Sequence, residues 1–287
     1  MQARPIRLTE GDAMRAPFKS AVFMAALLAG PGLSPAAAAA ASLLPHRAVY
    51  DLRLADQQPQ GGSEGMAAVG GRMVFEFTGT PCEGYTVNFR FVVEMTDGEG
   101  STTVTDLRTS TFESGAGDSF DFLSQTFTNQ VLTDEVKGAA VRGDSGVSVD
   151  LVSPTEAKVA FKPEVIFPTE HLLKVIAAAE KGDTVLAGEV FDGSETGDKT
   201  YATSTIIGEP ISGPPEGPAA SVGTTRRWPV TVAYFDASQG GDLTPEYSIG
   251  FDLFDNGVSA DLRMDYGEFA LQGDLTHFEA LPTTPCE

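Results

Sequence analysis

Two cysteines and three histidines are the side chains whose chemistry would be most telling, and the acidic residues are too many to single out by type. Cys82 heads the strand-like run "TPCEGYTVNFRFVVEM", residues 80–95, and Cys286 is the second-last residue of the chain. His46, His171 and His277 are scattered, with no metal-ligand spacing among themselves or to the cysteines. The sequence contains no Gly-x-Ser-x-Gly elbow, phosphate-binding loop, dinucleotide fingerprint or His-Glu-x-x-His pair. Three chemistries are open to the cysteines. A disulfide is expected if the chain is exported to an oxidising compartment. A free reactive thiol would need a histidine near it in space, and a metal site would need more ligands. Each histidine is a candidate acid–base group only if the fold supplies a partner. "DGEGSTTVTD" and "FDGSETGDK" have a calcium-binding look, but neither has EF-hand spacing.

Export is what the N-terminus predicts. Arg4, Arg7, Arg15 and Lys19 precede the short apolar run "AVFMAALLAGPGL", and the small-residue tract "SPAAAAAAS" follows. Those are the three parts of a secretory signal peptide, over 1–41, with cleavage near Ala40 or Ala41. Met14 is an alternative start, since "MRAPFKS" is itself a normal signal opening. The apolar core is too short to span a bilayer. No lipobox cysteine follows it and no later stretch is long and apolar enough to cross, so a soluble periplasmic protein without a transmembrane segment is expected.

The whole chain carries 40 acidic against 19 basic residues. Residues 1–40 hold four of the basic and two of the acidic side chains, which leaves the remainder at about −23. With no basic patch, nucleic-acid binding is excluded. The acidic residues are spread singly, as suits the polar faces of strands.

Strands dominate the remaining pattern, residues 42–287. In "GYTVNFRFVVEM", Tyr85, Val87, Phe89, Phe91, Val93 and Met95 share one face, and Thr86, Asn88, Arg90 and Glu94 the other. "GRMVFEFTG" and "AVYDLRLA" repeat the alternation. Eleven further strands are predicted at about 102–113, 118–127, 130–137, 146–152, 156–162, 185–191, 198–208, 223–235, 246–255, 258–265 and 268–279. About fourteen antiparallel strands in consecutive pairing follow, with "FDLFDNGVSADLRM" as a hairpin turning at Asn256-Gly257 in a type I′ turn. One segment breaks the period: "FPTEHLLKVIAAAEKGD" predicts an amphipathic helix. Thr169 is its N-cap, Lys181-Gly182 its stop, and Leu172, Leu173, Ile176 and Ala179 form its apolar stripe. His171 is expected on its surface or in packing. Residues 55–71 and the Gly/Pro-rich 209–221 are expected to be loops, the latter in solvent. The fold class is therefore all-β, with one helix packed on the sheet.

"LPHRAVYDLRL", "GRMVFEFTGTPCEGYTVNFRFV", "FPTEHLLKVIAAAEKGDTVLAGEVFDGSE", "WPVTVAYF" and "FDLFDNGVSADLRMDYGEFALQGDL" resemble the EipB family of cell-envelope integrity proteins. These are periplasmic proteins of Gram-negative bacteria that were long a domain of unknown function. The resemblance covers essentially all of 42–287 as one domain. It implies a single long antiparallel sheet wound into a β-spiral with a helix against it, and a disulfide between the positions matched by Cys82 and Cys286. It also implies a role in envelope integrity and stress resistance, and a periplasmic tetratricopeptide-repeat partner. It carries over no catalytic residue, metal ligand or cofactor. A non-enzymatic factor that binds a partner protein, a peptide or a lipid-like ligand on the curved sheet is the expectation. The alternative is an envelope-polymer-modifying enzyme with an unrecognised carboxylate or histidine site.

Overall fold

A computed structural model describes residues 42–56, 66–238, 244–283 and 286, so the signal segment expected over 1–41 lies outside the described residues. The alternating segments form eight strands before the helix: β1 (His46–Leu54), β2 (Met66–Thr80), β3 (Gly84–Asp97), β4 (Thr102–Glu113), β5 (Ser119–Thr128), β6 (Val131–Gly143), β7 (Gly146–Ser153) and β8 (Ala157–Phe161). The helix α1 spans Pro168–Lys181. Six strands follow it: β9 (Val185–Val190), β10 (Tyr201–Ile207), β11 (Arg227–Asp236), β12 (Tyr247–Phe254), β13 (Ser259–Asp265) and β14 (Ala270–Ala280).

Each half is an antiparallel meander, and one non-consecutive pairing fuses them. β1 lies against β14 from His46↔Ala280 to Leu54↔Leu271, with a register slip at Val49/Tyr50. The single sheet then runs β8-β7-β6-β5-β4-β3-β2-β1-β14-β13-β12-β11-β10-β9. Its two edges, β8 and β9, are neighbours in sequence, and α1 is the connection between them. The sheet does not close into a barrel. Instead Ile166, just before α1, makes a parallel bridge to Val190. Its N–H donates to the Glu189 carbonyl, and the Phe191 N–H donates to its own.

Burial follows the alternation. On β3, Tyr85 and Val93 are buried and Val87, Phe89, Phe91 and Met95 half-buried, whereas Asn88, Arg90 and Glu94 are exposed. The outward face carries cross-strand ion pairs: Arg72 with Asp51 at 2.8 Å, Arg90 with Asp106 at 2.9 Å, and Arg53 with Asp274 at 3.0 Å. That is where many of the scattered acids are used. The inner face packs on α1, whose Val175, Ile176, Ala178 and Ala179 meet Phe77, Tyr85, Trp228 and Leu253 in one core cluster. A second cluster of Phe120, Phe122, Phe167 and Phe191 fastens β5 and the segments flanking α1.

Four local expectations are corrected. Residues 66–71, expected as part of a loop, are the first part of β2. Phe167, not Thr169, is the N-cap of α1, because Pro168 occupies the first helical position, where its missing N–H costs nothing. Asn256-Gly257 is not a type I′ turn: Gly257 has φ 86°, but Asn256 is not among the described non-glycine residues with positive φ. The Gly257 N–H donates to the Phe254 carbonyl at 2.9 Å, and the Phe254 N–H to the Val258 carbonyl at 2.8 Å, so the loop is longer by one residue. The two-residue loop with both φ values positive is Asn129-Gln130, between β5 and β6 (φ 49° and 69°). Residues 209–221 are not simply solvent loop. They contain a 3-10 turn, Gly217–Ser221, whose Ala219 is buried with Val222, Phe254, Val258 and Ala260.

Candidate functional site: an apolar hollow with an acidic mouth

β4 and β12 are six strands apart along the sheet, roughly 29 Å at the usual strand spacing. Yet Leu107 of β4 and Ile249 of β12 line the same hollow of about 450 Å³, so the sheet is strongly curled. One wall is Phe75, Phe89 and Phe91 from β2 and β3; the opposite wall is Ile249, Phe251, Leu262 and Met264 from β12 and β13. Leu172 of α1 adds to the lining. Alternation explains the wall: strand positions two apart share a face, and here that face is aromatic and aliphatic. Phe75, Phe89, Phe91, Ile249 and Phe251 are only half-buried: they pack on the cluster of Tyr50, Met73, Leu262 and Met264 and leave part of their surface open to the hollow.

Among the described residues no Asp, Glu, Lys or Arg lines this hollow. Its polar atoms are largely used internally. The Tyr50 hydroxyl donates to the Ser259 carbonyl at 2.7 Å. His46 stacks on Phe278 at 5.7 Å, and its Nδ1–H donates to the Leu44 carbonyl at 2.7 Å. Burial pushes its imidazole below the ordinary range despite that bond, so His46 is uncharged at neutral pH.

Leu107, Tyr247 and Tyr266 also line a second, larger space of about 800 Å³ beside it. Asp134, Asp192, Glu195 and Glu246 border it. Tyr234 and Tyr247 stack at 4.5 Å, and Tyr201 and Tyr266 approach Tyr247 at 6.0 and 6.4 Å. Burial, followed by the Asp192 carboxylate and the neighbouring rings, drives the Tyr247 phenol upward, so it stays neutral. The Tyr201 hydroxyl donates to Glu195 Oε1 at 2.7 Å. Lys199 Nζ sits 5.0 Å from the Tyr201 ring centre, 2.5 Å from Glu195 Oε2, 3.4 Å from Glu246 Oε1 and 3.9 Å from Asp236 Oδ2. Gly193 allows the close approach of this loop: it has φ 67°, and a Cβ there would lie 2.5 Å from the Phe122 ring.

A buried carboxylate from the sheet anchors α1, which contributes Leu172 to the hollow. Glu113 at the end of β4 accepts the N–H groups of Thr169 at 2.7 Å and Glu170 at 3.0 Å. It does the work of an N-cap side chain, which Phe167 cannot do. Burial pushes its carboxyl up, and the two N–H groups pull it back. Arg142 reinforces the junction by donating to Glu170 at 2.8 Å and the Val165 carbonyl at 2.9 Å.

The structure scatters the histidines over three environments. His46 is in the hollow's wall. His171 is buried on α1, its Nε2 without a hydrogen-bond partner and its pKa lowered to about 4 by burial and by Lys174. His277 is exposed on β14. Cys82 and Cys286 are joined, with Cα atoms 5.8 Å apart across 204 residues of sequence. The stretch "DGEGSTTVTD" uses the Asp97 carboxylate on the N–H groups of Glu99 and Ser101. "FDGSETGDK" supplies Asp192, Glu195 and Lys199 to the mouth instead. Among the described residues no His/Cys/Asp/Glu group is arranged to hold a metal ion. The tyrosine cluster was not legible in the sequence, because Tyr201, Tyr234, Tyr247 and Tyr266 each stand near a different strand end.

Known proteins share this chain's sequence and shape. The family model described as EipB-like matches residues 37–282. The cell envelope integrity protein EipB of Brucella abortus is 39% identical over 264 residues, covering 91% of this chain and 92% of that protein. A crystal structure of a beta-barrel-like protein of a domain of unknown function, also from Brucella abortus, superposes with a TM-score of 0.79 at 38% identity. It covers 85% of this chain and 100% of its own. The wound, open sheet and the residues that build it are thus those of a recognised group, and the chain belongs to the EipB-like family.

Proposed function

We propose that the protein is a non-enzymatic periplasmic factor that supports cell-envelope integrity and holds an acyl-chain-like ligand in its apolar hollow. The observation that carries the reading is a wall of half-buried aromatic and aliphatic side chains around about 450 Å³, with no charged residue among the described residues of the lining. That volume falls in the ordinary range for small-molecule sites, about 300–1,000 Å³. The signal-like segment over 1–41, the disulfide and the envelope-integrity name of the Brucella relative support the location and the envelope role.

Burial of a methylene contributes about 0.8 kcal/mol, close to fourfold in affinity. A chain of about twelve carbons gains roughly 10 kcal/mol, which exceeds the lower estimates of the association cost, about 4 kcal/mol. Titration with straight-chain alcohols of increasing length tests the reading. Affinity is expected to rise about fourfold per carbon until the hollow is full and then level off. Affinity independent of chain length, or no binding, refutes it.

A further inference from the structure

His46 gives the otherwise apolar hollow one polar atom whose role the fold fixes. The side chain is only 3% exposed and lies among Phe278, Phe75 and Phe77, with ring centres 5.7, 5.7 and 6.2 Å away. A backbone carbonyl can only accept, so the 2.7 Å contact with the Leu44 carbonyl puts the ring proton on Nδ1. Nε2 of the neutral ring is then an acceptor with a free lone pair. Nδ1 turns back toward residue 44 of its own chain segment, and the two nitrogens of an imidazole diverge, so Nε2 points away from that backbone.

Side-chain polar atoms that are both sealed in and unpartnered are, among the described residues, His171 Nε2 and Thr205 Oγ1. His46 Nε2 has no described partner either, but it is not sealed, and the space its residue lines is the hollow. This end of the hollow also holds Gly257, Ser259 and Leu172: the Leu44 N–H donates to the Asn256 carbonyl, and a Cβ on Gly257 would lie 3.5 Å from Leu172. Ser259 pairs with Leu253 of β12, six residues from Tyr247 at the other end. Roughly 20 Å of strand therefore separates the imidazole end from the tyrosine end, and the wall between them is apolar.

A plain hydrocarbon laid against Nε2 would strip its water and return no hydrogen bond, which costs affinity. A carboxylate has no proton to give, and it would bring a charge into a wall where no described side chain carries the opposite one. An ammonium donates but meets the same lack of a counter-charge. A hydroxyl donates and brings no charge.

We infer that the occupant of the hollow is an uncharged, hydroxyl-bearing chain whose hydroxyl donates to His46 Nε2 while its hydrocarbon runs toward Tyr247. This rests on the chain-binding reading above and adds the polar group that the site recognises.

Three probes of one chain length separate the two claims: tetradecanol, its methyl ether and tetradecanoate, each titrated as free monomer. Tetradecanol is expected to bind at least about tenfold more tightly than the other two. The extra methyl of the ether works in the ether's favour, so it cannot create that margin. His46→Phe keeps an aromatic ring against Phe278 and removes the acceptor; it is expected to erase the margin over the ether while the ether's own affinity stays. A second readout needs no variant. In histidine-15N-labelled wild type, tetradecanol is expected to move the Nε2 resonance of His46 upfield, as a hydrogen bond to that nitrogen does, while the ether leaves it in place and neither probe moves His171 or His277. Alcohol and ether binding alike, tetradecanoate binding as tightly as the alcohol, a margin that survives His46→Phe, or a stationary Nε2 resonance with tetradecanol bound overturns the hydroxyl inference and leaves chain binding standing. Failure of both alcohol and ether to bind removes the chain-binding reading, and this inference with it.

Discussion

Replacing Cys286 with serine removes the covalent tie between the C-terminal tail and the loop that follows β2. The bridge closes a loop spanning 204 residues. On the chain-entropy relation, opening it frees the unfolded chain by about 18 cal/mol/K, or about 5 kcal/mol at 25 °C. The folded state keeps its neighbouring contacts, because β1 and β14 stay paired along their length and the Leu281 N–H still donates to the Pro45 carbonyl. The loss therefore lies almost wholly in the unfolded state. For a domain of this size each kcal/mol moves the melting temperature by about 2–4 °C, so Cys286→Ser is expected to melt roughly 10–20 °C lower. Calorimetry on oxidised wild type, each single serine variant and the double variant reads this directly. All three variants should fall alike, since only one bridge is lost, and the double variant guards against a stray thiol. An oxidised wild type, its bridge shown by thiol titration, that melts within about 2 °C of Cys286→Ser would refute the reasoning.

His171 has a folded pKa near 4 against an ordinary 6.5, so the unfolded chain binds the extra proton between those values. Stability should fall as the pH drops from about 6.5 toward 4, by up to about 3 kcal/mol from this group. His46 is displaced in the same direction and Glu113 in the opposite one, so the comparison is made against His171→Leu. In that variant, urea unfolding across this range should show a shallower acid slope, and an unchanged slope would remove His171 from the explanation. Glu113→Ala leaves the Thr169 and Glu170 amides of α1 without their acceptor. It should cost about 2–3 kcal/mol and speed hydrogen exchange at those two amides before others in the helix, with Glu113→Gln falling between. Exchange unchanged at both amides would contradict the capping role.

Much of the architecture was legible because the side-chain period of a strand is local. Tyr85 to Met95 announced the inner face of β3 without any knowledge of its neighbours. The pairing of β1 with β14 was not legible in the same way, since no local signal relates His46 to Ala280. The helix was found from its stripe, but its start was misread. Thr169 is a good capping residue by type, yet Pro168 before it was the stronger signal. The true cap comes from Glu113, far away in sequence and indistinguishable from any other strand-end acid. The break between the strands expected at 118–127 and 130–137 put a turn at 128–129, one residue early, because glutamine is a poor advertisement for positive φ. The hollow needed the curl of the sheet. Alternation marks Phe89, Phe91 and Phe251 as inward, but only the folded chain shows that, besides packing on the core, they border a hollow.

Native mass spectrometry of the exported protein, gently released from the envelope, examines the occupancy of the hollow most directly. One acyl-chain amphiphile per protein is expected, and Ile249→Trp, which places a bulky ring in the wall, should lower its occupancy at least about tenfold. Protein that emerges bare and takes up no straight-chain probe, or an occupant that Ile249→Trp leaves undisturbed, would contradict a chain-binding hollow.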